Sequence, residues 1–364
     1  MTKICFIIPT VSSGGIETYL LRFLRFLDAD SQISVIVRSE TKGDLYQAYR
    51  ARDIDLLFMP LGYLNPGKAL TYYLFFRRNR FDVVCDFNAN FSGLPILLAK
   101  LAGVKKRMSF YRQGSNHFKP NLFFNAYNSI SNRMVYMFAT NILSNSLSAL
   151  DFFFSYRSQT DRRFNIIYNG VELSDLQSTT EENNSWVSAD SGRFVIGHVG
   201  RFDPAKNHDA ILQIASRLVT DCPSCHFILC GSGTEKLEGK IAELKLLGHF
   251  TLLGFRSNVH EVYKSFDVFL FPSITEGQPN ALIEAMILGV PFVASNISPI
   301  SEILPDSFHQ YLRNPHDVDG YVSFIKDFMA GKVKFATEEL KAHAEKNFNK
   351  EINFNFFKEI LSGV

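Results

Sequence analysis

The segment Phe271-Pro-Ser-Ile-Thr-Glu276-Gly-Gln-Pro-Asn280-Ala-Leu-Ile-Glu284-Ala-Met-Ile-Leu-Gly289-Val-Pro291 contains the end of one strand, a loop, a short helix and the approach to the next strand. Val268 to Pro272 and Pro291 to Ala294 are apolar runs of strand length, while Pro279 suits a first helical position and Gly289 the position after a last turn. Strand, helix and strand, all apolar, is the pattern of a parallel sheet covered on both faces. After Asn280 the helix has one polar residue, Glu284. A carboxylate on a helix packed all round is costly without hydrogen-bond donors, and no basic neighbour in sequence supplies them. Ligand hydroxyls would satisfy it; backbone amides at a helix end are the alternative. Glu276 stands one residue before Gly277, in the strand-to-helix loop where ligands of such sheets sit. The amides of the run Gly277, Gln278, Pro279 and Asn280 at the helix start are read as donors for an anion.

The same alternation extends in both directions. The second half reads as strands Phe194 to Val199, His226 to Cys230 and Phe250 to Leu253, with helices Asp209 to Val219, Glu235 to Leu247 and Val259 to Ser265, leading into the segment above. The first half opens with strand Lys3 to Pro9, a Ser12-Ser13-Gly14-Gly15 turn and an amphipathic helix Glu17 to Leu27. Further strands are expected at 33–37, 54–59, 82–87, 106–111 and 141–144. Two doubly wound α/β domains follow, with ligands expected at the carboxyl ends of the strands. The polar, acidic stretch 171–191 marks the linker between domains 1–170 and 192–345, and 346–364 is expected to be a helix that packs back on the first domain.

Composition narrows the function. A chain of 364 residues with 46% hydrophobic and 20% charged residues has enough apolar surface for two cores, so wholesale disorder is excluded. No apolar run approaches the roughly 18 residues of a membrane span. Met1-Thr2-Lys3 leads directly into strand-like sequence without a signal-peptide pattern, so cytoplasmic residence is expected. Five cysteines, three of them in apolar runs, read as reduced buried thiols; Cys222 and Cys225 have redox spacing but precede a strand and have no second pair to complete a zinc site. Residues 1–169 hold 21 Lys and Arg against 11 Asp and Glu, a net +10; the remaining 17 against 25 give −8. A basic half suits phosphorylated substrates or anionic lipid, whereas the acidic half would resist a nucleic-acid backbone, and no nucleic-acid motif is present.

Gly197-His-Val-Gly200-Arg201-Phe-Asp-Pro-Ala-Lys206-Asn-His208 lies at the end of a strand, where Gly200 allows close backbone approach and Arg201 and Lys206 offer cations to a diphosphate. A basic turn capping the next helix is the alternative. Cys230-Gly231-Ser-Gly233-Thr-Glu-Lys236 begins like a dinucleotide fingerprint but has Lys236 at the third glycine position, which argues against nicotinamide or flavin. Asp28-Ala-Asp30, Asp53-Ile-Asp55 and Asp317-Val-Asp319 do not end apolar strands and read as caps and turns, so no metal and no cofactor beyond a co-substrate is expected.

Together these segments resemble the retaining glycosyltransferases of family 4 (glycosyl transferases group 1), whose GT-B fold has two Rossmann-like domains facing a central cleft. The resemblance rests on the Glu276/Glu284 pair at E-x7-E spacing, the Gly200, Arg201 and Lys206 segment, the Gly14-Gly15 turn, Asn169-Gly170-Val171-Glu172 and Ser301-Glu302-Ile303. It implies a nucleoside diphosphate sugar as donor. Arg201 and Lys206 would bind the diphosphate, Glu284 the ribose hydroxyls, Glu276 the donor sugar, and the Gly15 amide would approach the phosphate. Gln278 stands where the family usually has Phe or Leu. The family often places a His near a strand end of the first domain; His117 is the nearest candidate, with an exposed loop histidine as the alternative reading.

The expected reaction is retaining, metal-independent transfer of a hexose or hexosamine to a growing glycan, a lipid-linked bacterial surface polysaccharide precursor. A sugar-nucleotide epimerase or hydrolase and a non-enzymatic sugar-nucleotide-binding protein are the rivals. Aromatic and basic residues adjoin in Leu70-Thr-Tyr-Tyr-Leu-Phe-Phe-Arg77-Arg78-Asn-Arg80, and Lys105, Lys106, Arg107 and the Phe-rich run 118–138 add a second such patch. They suit peripheral attachment to the inner face of the membrane, or a core with a solvated basic edge.

Overall fold

Each half of the chain builds one parallel sheet in the computed structural model, which describes residues 2–12, 14–27, 31–62, 65–112, 122–171, 192–256 and 258–363, with backbone alone at 122 and 123. By internal contacts the chain divides into Met1–Asn169 with Glu351–Val364, and Gly170–Lys350.

The first unit contains strands β1 (Thr2–Ile8), β2 (Ser31–Val37), β3 (Asp55–Phe58), β4 (Val83–Asp86), β5 (Lys106–Tyr111), β6 (Asn141–Ser144) and β7 (Phe164–Ile166), in the spatial order 3-2-1-4-5-6-7. Its helices are α1 (Gly15–Phe26), α2 (Tyr46–Arg50), α3 (Pro66–Asn79), α4 (Gly93–Leu101), α5 (Leu122–Phe138) and α6 (Leu147–Phe153). Ile4 to Ile8 of β1 are buried because the strand sits mid-sheet with helices on both faces. Helix α1 is amphipathic, and Leu20, Phe23 and Leu24 close one side of the core.

The second unit has β8 (Phe194–Val199), β9 (Cys225–Cys230), β10 (Phe250–Gly254), β11 (Val268–Phe271), β12 (Phe292–Ser295) and β13 (Leu312–Arg313), in the order 10-9-8-11-12-13. Its helices are α7 (His208–Asp221), α8 (Glu238–Glu243), α9 (Val259–Tyr263), α10 (Asn280–Leu288), α11 (Ser298–Ser301), α12 (Val318–Met329) and α13 (Thr337–Phe348). Strand β11 is buried throughout. Helix α10 buries Leu282, Ile283, Ala285, Met286 and Ile287 and ends at Gly289, where φ is 71°. Each large apolar side chain there contributes about 2 kcal/mol of burial, and Leu282→Ala would cost about 3 kcal/mol.

Both sheets reverse strand order at a central pair, β1/β4 in the first and β8/β11 in the second. Crevices for ligands in such sheets open at the carboxyl ends of these pairs. The Gly14-Gly15 turn follows β1, the Gly200 to Lys206 loop follows β8, and the Glu276 loop follows β11.

The chain end differs from the single expected helix over 346–364. Helix α13 stays in the second unit, Asn349 turns extended (φ −66°, ψ 126°), and α14 (Lys350–Ser362) follows. From α14, Phe354, Phe357 and Leu361 enter the core of the first unit, with the Phe23 and Phe357 rings 4.5 Å apart. Helix 235–247 is likewise not continuous. It breaks into a 3-10 turn (Thr234–Leu237), α8, and a second 3-10 turn (Leu247–His249). Gly239 weakens the run, and Lys245 takes φ 60°, which no helix interior accepts. All five cysteines are free thiols.

Candidate functional site

In the second unit the loops after β8 and β11 are tied to each other. Asp203 caps the 3-10 turn Pro204–Lys206, and Asn207 adopts φ 56°. From there the Asn207 carboxamide donates to the carbonyls of Pro272 (3.0 Å) and Pro315 (2.9 Å), and the Ile274 amide donates to Ala205 O at 2.8 Å. With the backbones so fixed, Lys206 Nζ reaches Glu276 Oε1 at 2.5 Å, both side chains being largely buried. Lys206 also stands 5.2 Å above the Phe271 ring. The two residues that sequence assigns separately to phosphate and sugar thus form one ion pair. Three ammonium donors allow Lys206 to hold Glu276 and a phosphate oxygen together.

Gly231 admits the β8 loop to the β9 loop. Its φ is 149°, and a Cβ there would lie 2.1 Å from Gly200 O. The Gly200 amide donates to Cys230 O and the Phe202 amide to Ser232 O, both at 2.8 Å. Arg201 is 73% exposed and only loosely paired with Asp203 at 3.5 Å, so its guanidinium remains available to an anion.

Glu284 is half-buried on α10. Its Oε2 lies 3.2 Å from the hydroxyl of Tyr263, which also approaches Ala281 O at 2.7 Å. Tyr263, at the end of the five-residue α9, is a polar neighbour of Glu284 that the sequence reading missed. Burial first, then the Glu284 charge, holds its hydroxyl protonated far above the ordinary tyrosine range.

The helix start offers fewer free amides than the sequence suggests. Pro279 has no N–H, is the cap rather than the first helical residue, and the Asn280 amide is spent on Gln278 O at 2.9 Å. Of the expected run, the Gly277 amide makes no hydrogen bond among the described residues. Gln278 is buried. Beneath the β8 loop lie two imidazoles the sequence reading did not use. His198 Nδ1 donates to Leu270 O at 3.0 Å, and its ring packs edge-on to His208 with centroids 5.1 Å apart. Burial, then the neighbouring His208, pulls His198 down to about 3, so it is neutral.

In the first unit Gly14 caps α1 in extended conformation, and Gly15 is its first residue, with open space where a Cβ would stand. A Cβ on Gly14 would lie 2.4 Å from Glu17 Oε2. The Glu17 carboxylate, which accepts from Thr10 Oγ1 at 2.7 Å, therefore already occupies part of the helix start where an anion was expected. His117 lies outside the described residues. Strand β5 ends beside Arg112, a residue the sequence reading passed over. Its guanidinium stacks 3.6 Å above the Tyr19 ring and one nitrogen donates to Asn169; burial pulls it down to about 10.

Among the described residues no cluster of three His, Cys, Asp or Glu side chains could hold a metal. Asp317 caps α12 through the Gly320 amide at 2.9 Å, Asp319 pairs with Arg217, and Asp28 and Asp30 lie outside the described residues. The two expected basic patches meet at a groove lined by Arg77, Arg80 and Lys105. The aromatics partly depart from expectation: Tyr72 and Phe76 are core, whereas Leu70 and Leu74 face out beside the cations. Lys106 does not belong to that face, since it donates to Leu361 O on α14 at 3.3 Å. No helix among the described residues is long and apolar enough to cross a membrane.

Residues 180–350 match the family model described as glycosyl transferases group 1, and residues 13–175 the model described as glycosyltransferase family 4. The chain is similar, at 26% identity over 314 residues and 81% of each chain, to the N-acetylgalactosamine-N,N'-diacetylbacillosaminyl-diphospho-undecaprenol 4-alpha-N-acetylgalactosaminyltransferase of Campylobacter jejuni. It is also 26% identical over 317 residues to the capsular polysaccharide biosynthesis glycosyltransferase CapH of Staphylococcus aureus, covering 83% of this chain and 84% of that one. Among solved structures, Alr3699/HepE of Anabaena in complex with UDP is similar over 100% of both chains, with a TM-score of 0.82 and 17% identity.

Proposed function

Because the chain belongs to the group 1 glycosyltransferases of GT-B fold, we propose that it moves a hexose or hexosamine from a nucleoside diphosphate sugar to a growing glycan with retained anomeric configuration. The observation that carries this reading is the Lys206–Glu276 pair at the switch point of the second sheet, beside exposed Arg201 and Glu284 on α10. The donor is held by the second unit. Glu284 accepts from the ribose hydroxyls, with Tyr263 fixing its orientation. Arg201, Lys206 and the Gly277 amide stabilise the charge that develops on the departing diphosphate, a role that needs no metal ion. Glu276, steered by Lys206, meets the donor sugar.

The first unit takes the acceptor, which we propose to be a lipid-linked glycan precursor of a bacterial surface polysaccharide. The diphospho-undecaprenol substrate in the name of the Campylobacter relative and the capsular role in that of the Staphylococcus relative support this class. The groove of Arg77, Arg80 and Lys105, together with Leu70 and Leu74 exposed on the same helix as Arg77, suits peripheral attachment to an anionic leaflet on the cytoplasmic side.

Incubation with a panel of nucleotide sugars and a diphospholipid acceptor, read by proton NMR, tests the reading. An α-linked product from an α-linked donor is expected. A β-linked product would overturn retention, and sugar release or epimerisation without any acceptor-linked product would overturn transfer.

A further inference from the structure

A groove on the first unit opens between α5 and the end of α6, with a volume of about 320 Å³. Its lining includes Asn125, Asn128, Asn132, Arg133, Phe152 and Tyr156. Two of the carboxamides are 6% and 9% exposed, at Asn128 and Asn132, and their oxygens are engaged inside the protein. Asn90 Nδ2 donates to Asn128 Oδ1 at 2.6 Å, and Tyr111 OH donates to Asn132 Oδ1 at 2.9 Å. In this arrangement the Nδ2 groups of Asn128 and Asn132, which make no hydrogen bond among the described residues, are left as donors to the groove these residues line. Arg133 adds a cation. The lining contains no carboxylate, and nearby Asp151 is turned to Arg157 at 2.6 Å. On the wall, Phe152 is 52% and Tyr156 57% exposed.

Preset donors, one guanidinium and exposed ring faces together require a ligand rich in acceptors that also has apolar C–H faces to lay on a ring. We propose that this groove is a carbohydrate-binding site for a glycan whose sugars carry acetamido or carboxylate groups. Carbonyl or carboxylate oxygens accept from Asn128, Asn132 and Arg133, and a pyranose ring stacks on Tyr156 or Phe152. A neutral hydroxyl-only sugar fits less well, because its hydroxyls also need acceptors and the lining offers few. The groove belongs to the first unit, and Arg201, Lys206, Glu276 and Glu284 belong to the second. As a seat for the acceptor glycan it rests on the transfer reading; as a glycan site it does not.

Saturation-transfer NMR without any nucleotide sugar tests it, using chitotriose for the acetamido class, trigalacturonate for the carboxylate class and maltotriose as the neutral comparison. Saturable binding of chitotriose or trigalacturonate, at least about tenfold tighter than maltotriose, is expected. The double variant Phe152→Ala/Tyr156→Ala changes only exposed side chains, and a circular dichroism spectrum matching wild type establishes its fold. It should lose at least about tenfold in affinity, whereas Tyr156→Phe retains it. Arg133→Gln weakens trigalacturonate more than chitotriose if the carboxylate is the ligand. Failure of both charged and acetylated probes to bind, equal binding of maltotriose, or undiminished binding by the double variant would overturn the proposal. Because the binding assay contains no donor, a protein that binds glycan here yet transfers no sugar when nucleotide sugars are supplied would sink the transfer reading and leave this site standing.

Discussion

Lys206 Nζ and Glu276 Oε1 stand 2.5 Å apart although 70 residues separate them in the chain, and the contact joins the loops of the two central strands of the second sheet. In the proposed reaction a lysine in this position has two tasks: charge for the leaving diphosphate and orientation of the acid that meets the sugar. Removing either partner strands the other.

The pair should therefore be coupled in a double-mutant cycle. Lys206→Ala and Glu276→Gln each lower kcat, and the double variant loses less than the sum of the two by about 1–2 kcal/mol, within the range for residues in direct contact. Additive losses would mean that Lys206 serves the diphosphate alone.

Arg201 differs because it is exposed and held only by Asp203 at 3.5 Å. Arg201→Ala should leave the melting temperature unchanged and cost at least about 2 kcal/mol of transition-state stabilisation, read from kcat/KM. Wild-type turnover in a folded variant would remove Arg201 from the diphosphate site.

How far the sequence discloses this arrangement follows from what each residue does. Strands β5, β6 and β8 are legible to the residue, because apolar runs are bounded by turn or polar residues. The acids Glu276 and Glu284 are legible through their spacing and through the apolar helix around the second. Tyr263 is not, because a five-residue helix has too few turns to show a face. Nor is the Lys206–Glu276 contact, which depends on Asn207 bridging to Pro272 and Pro315, a pairing between distant loops that no local pattern encodes. The spent Asn280 amide, two residues from Gln278, and the Glu17 carboxylate, three residues from Gly14, are by contrast local contacts that spacing could have disclosed.

Buried neutral histidines predict acid sensitivity. Burial is the first cause of the shift in each case: His198 is pulled down to about 3, His226 to about 4, and His208 is lowered as well. The unfolded chain takes up protons below its ordinary histidine value of about 6.5 while the folded chain refuses them, so stability is full above that pH and falls toward pH 4 and below. Each such histidine adds up to about 1.4 kcal/mol per pH unit to the slope. Urea titrations between pH 8 and pH 4 should show the fall, at about those values, and His226→Gln should flatten it. A midpoint independent of pH would show these imidazoles to be protonated in the fold.

Membrane attachment can be read by co-sedimentation with vesicles. Binding to anionic but not neutral vesicles, weakened by salt and by Arg77→Gln, Arg78→Gln and Lys105→Gln together, is expected, each lost cation being worth about 1 kcal/mol. Lys106→Gln should have little effect, since Lys106 is engaged with Leu361 O. Failure to bind either vesicle type would leave a soluble acceptor as the better account.

The central claim is that the second unit holds the donor with Glu284 on the ribose and Glu276 on the sugar, and calorimetric titration of UDP into wild type, Glu284→Gln and Glu276→Gln tests it most directly. UDP has a ribose and a diphosphate but no sugar to transfer. The account predicts that Glu284→Gln weakens UDP at least about tenfold while Glu276→Gln binds it within about threefold of wild type, having lost turnover. Equal UDP affinity in all three proteins, or loss confined to Glu276→Gln, would contradict it.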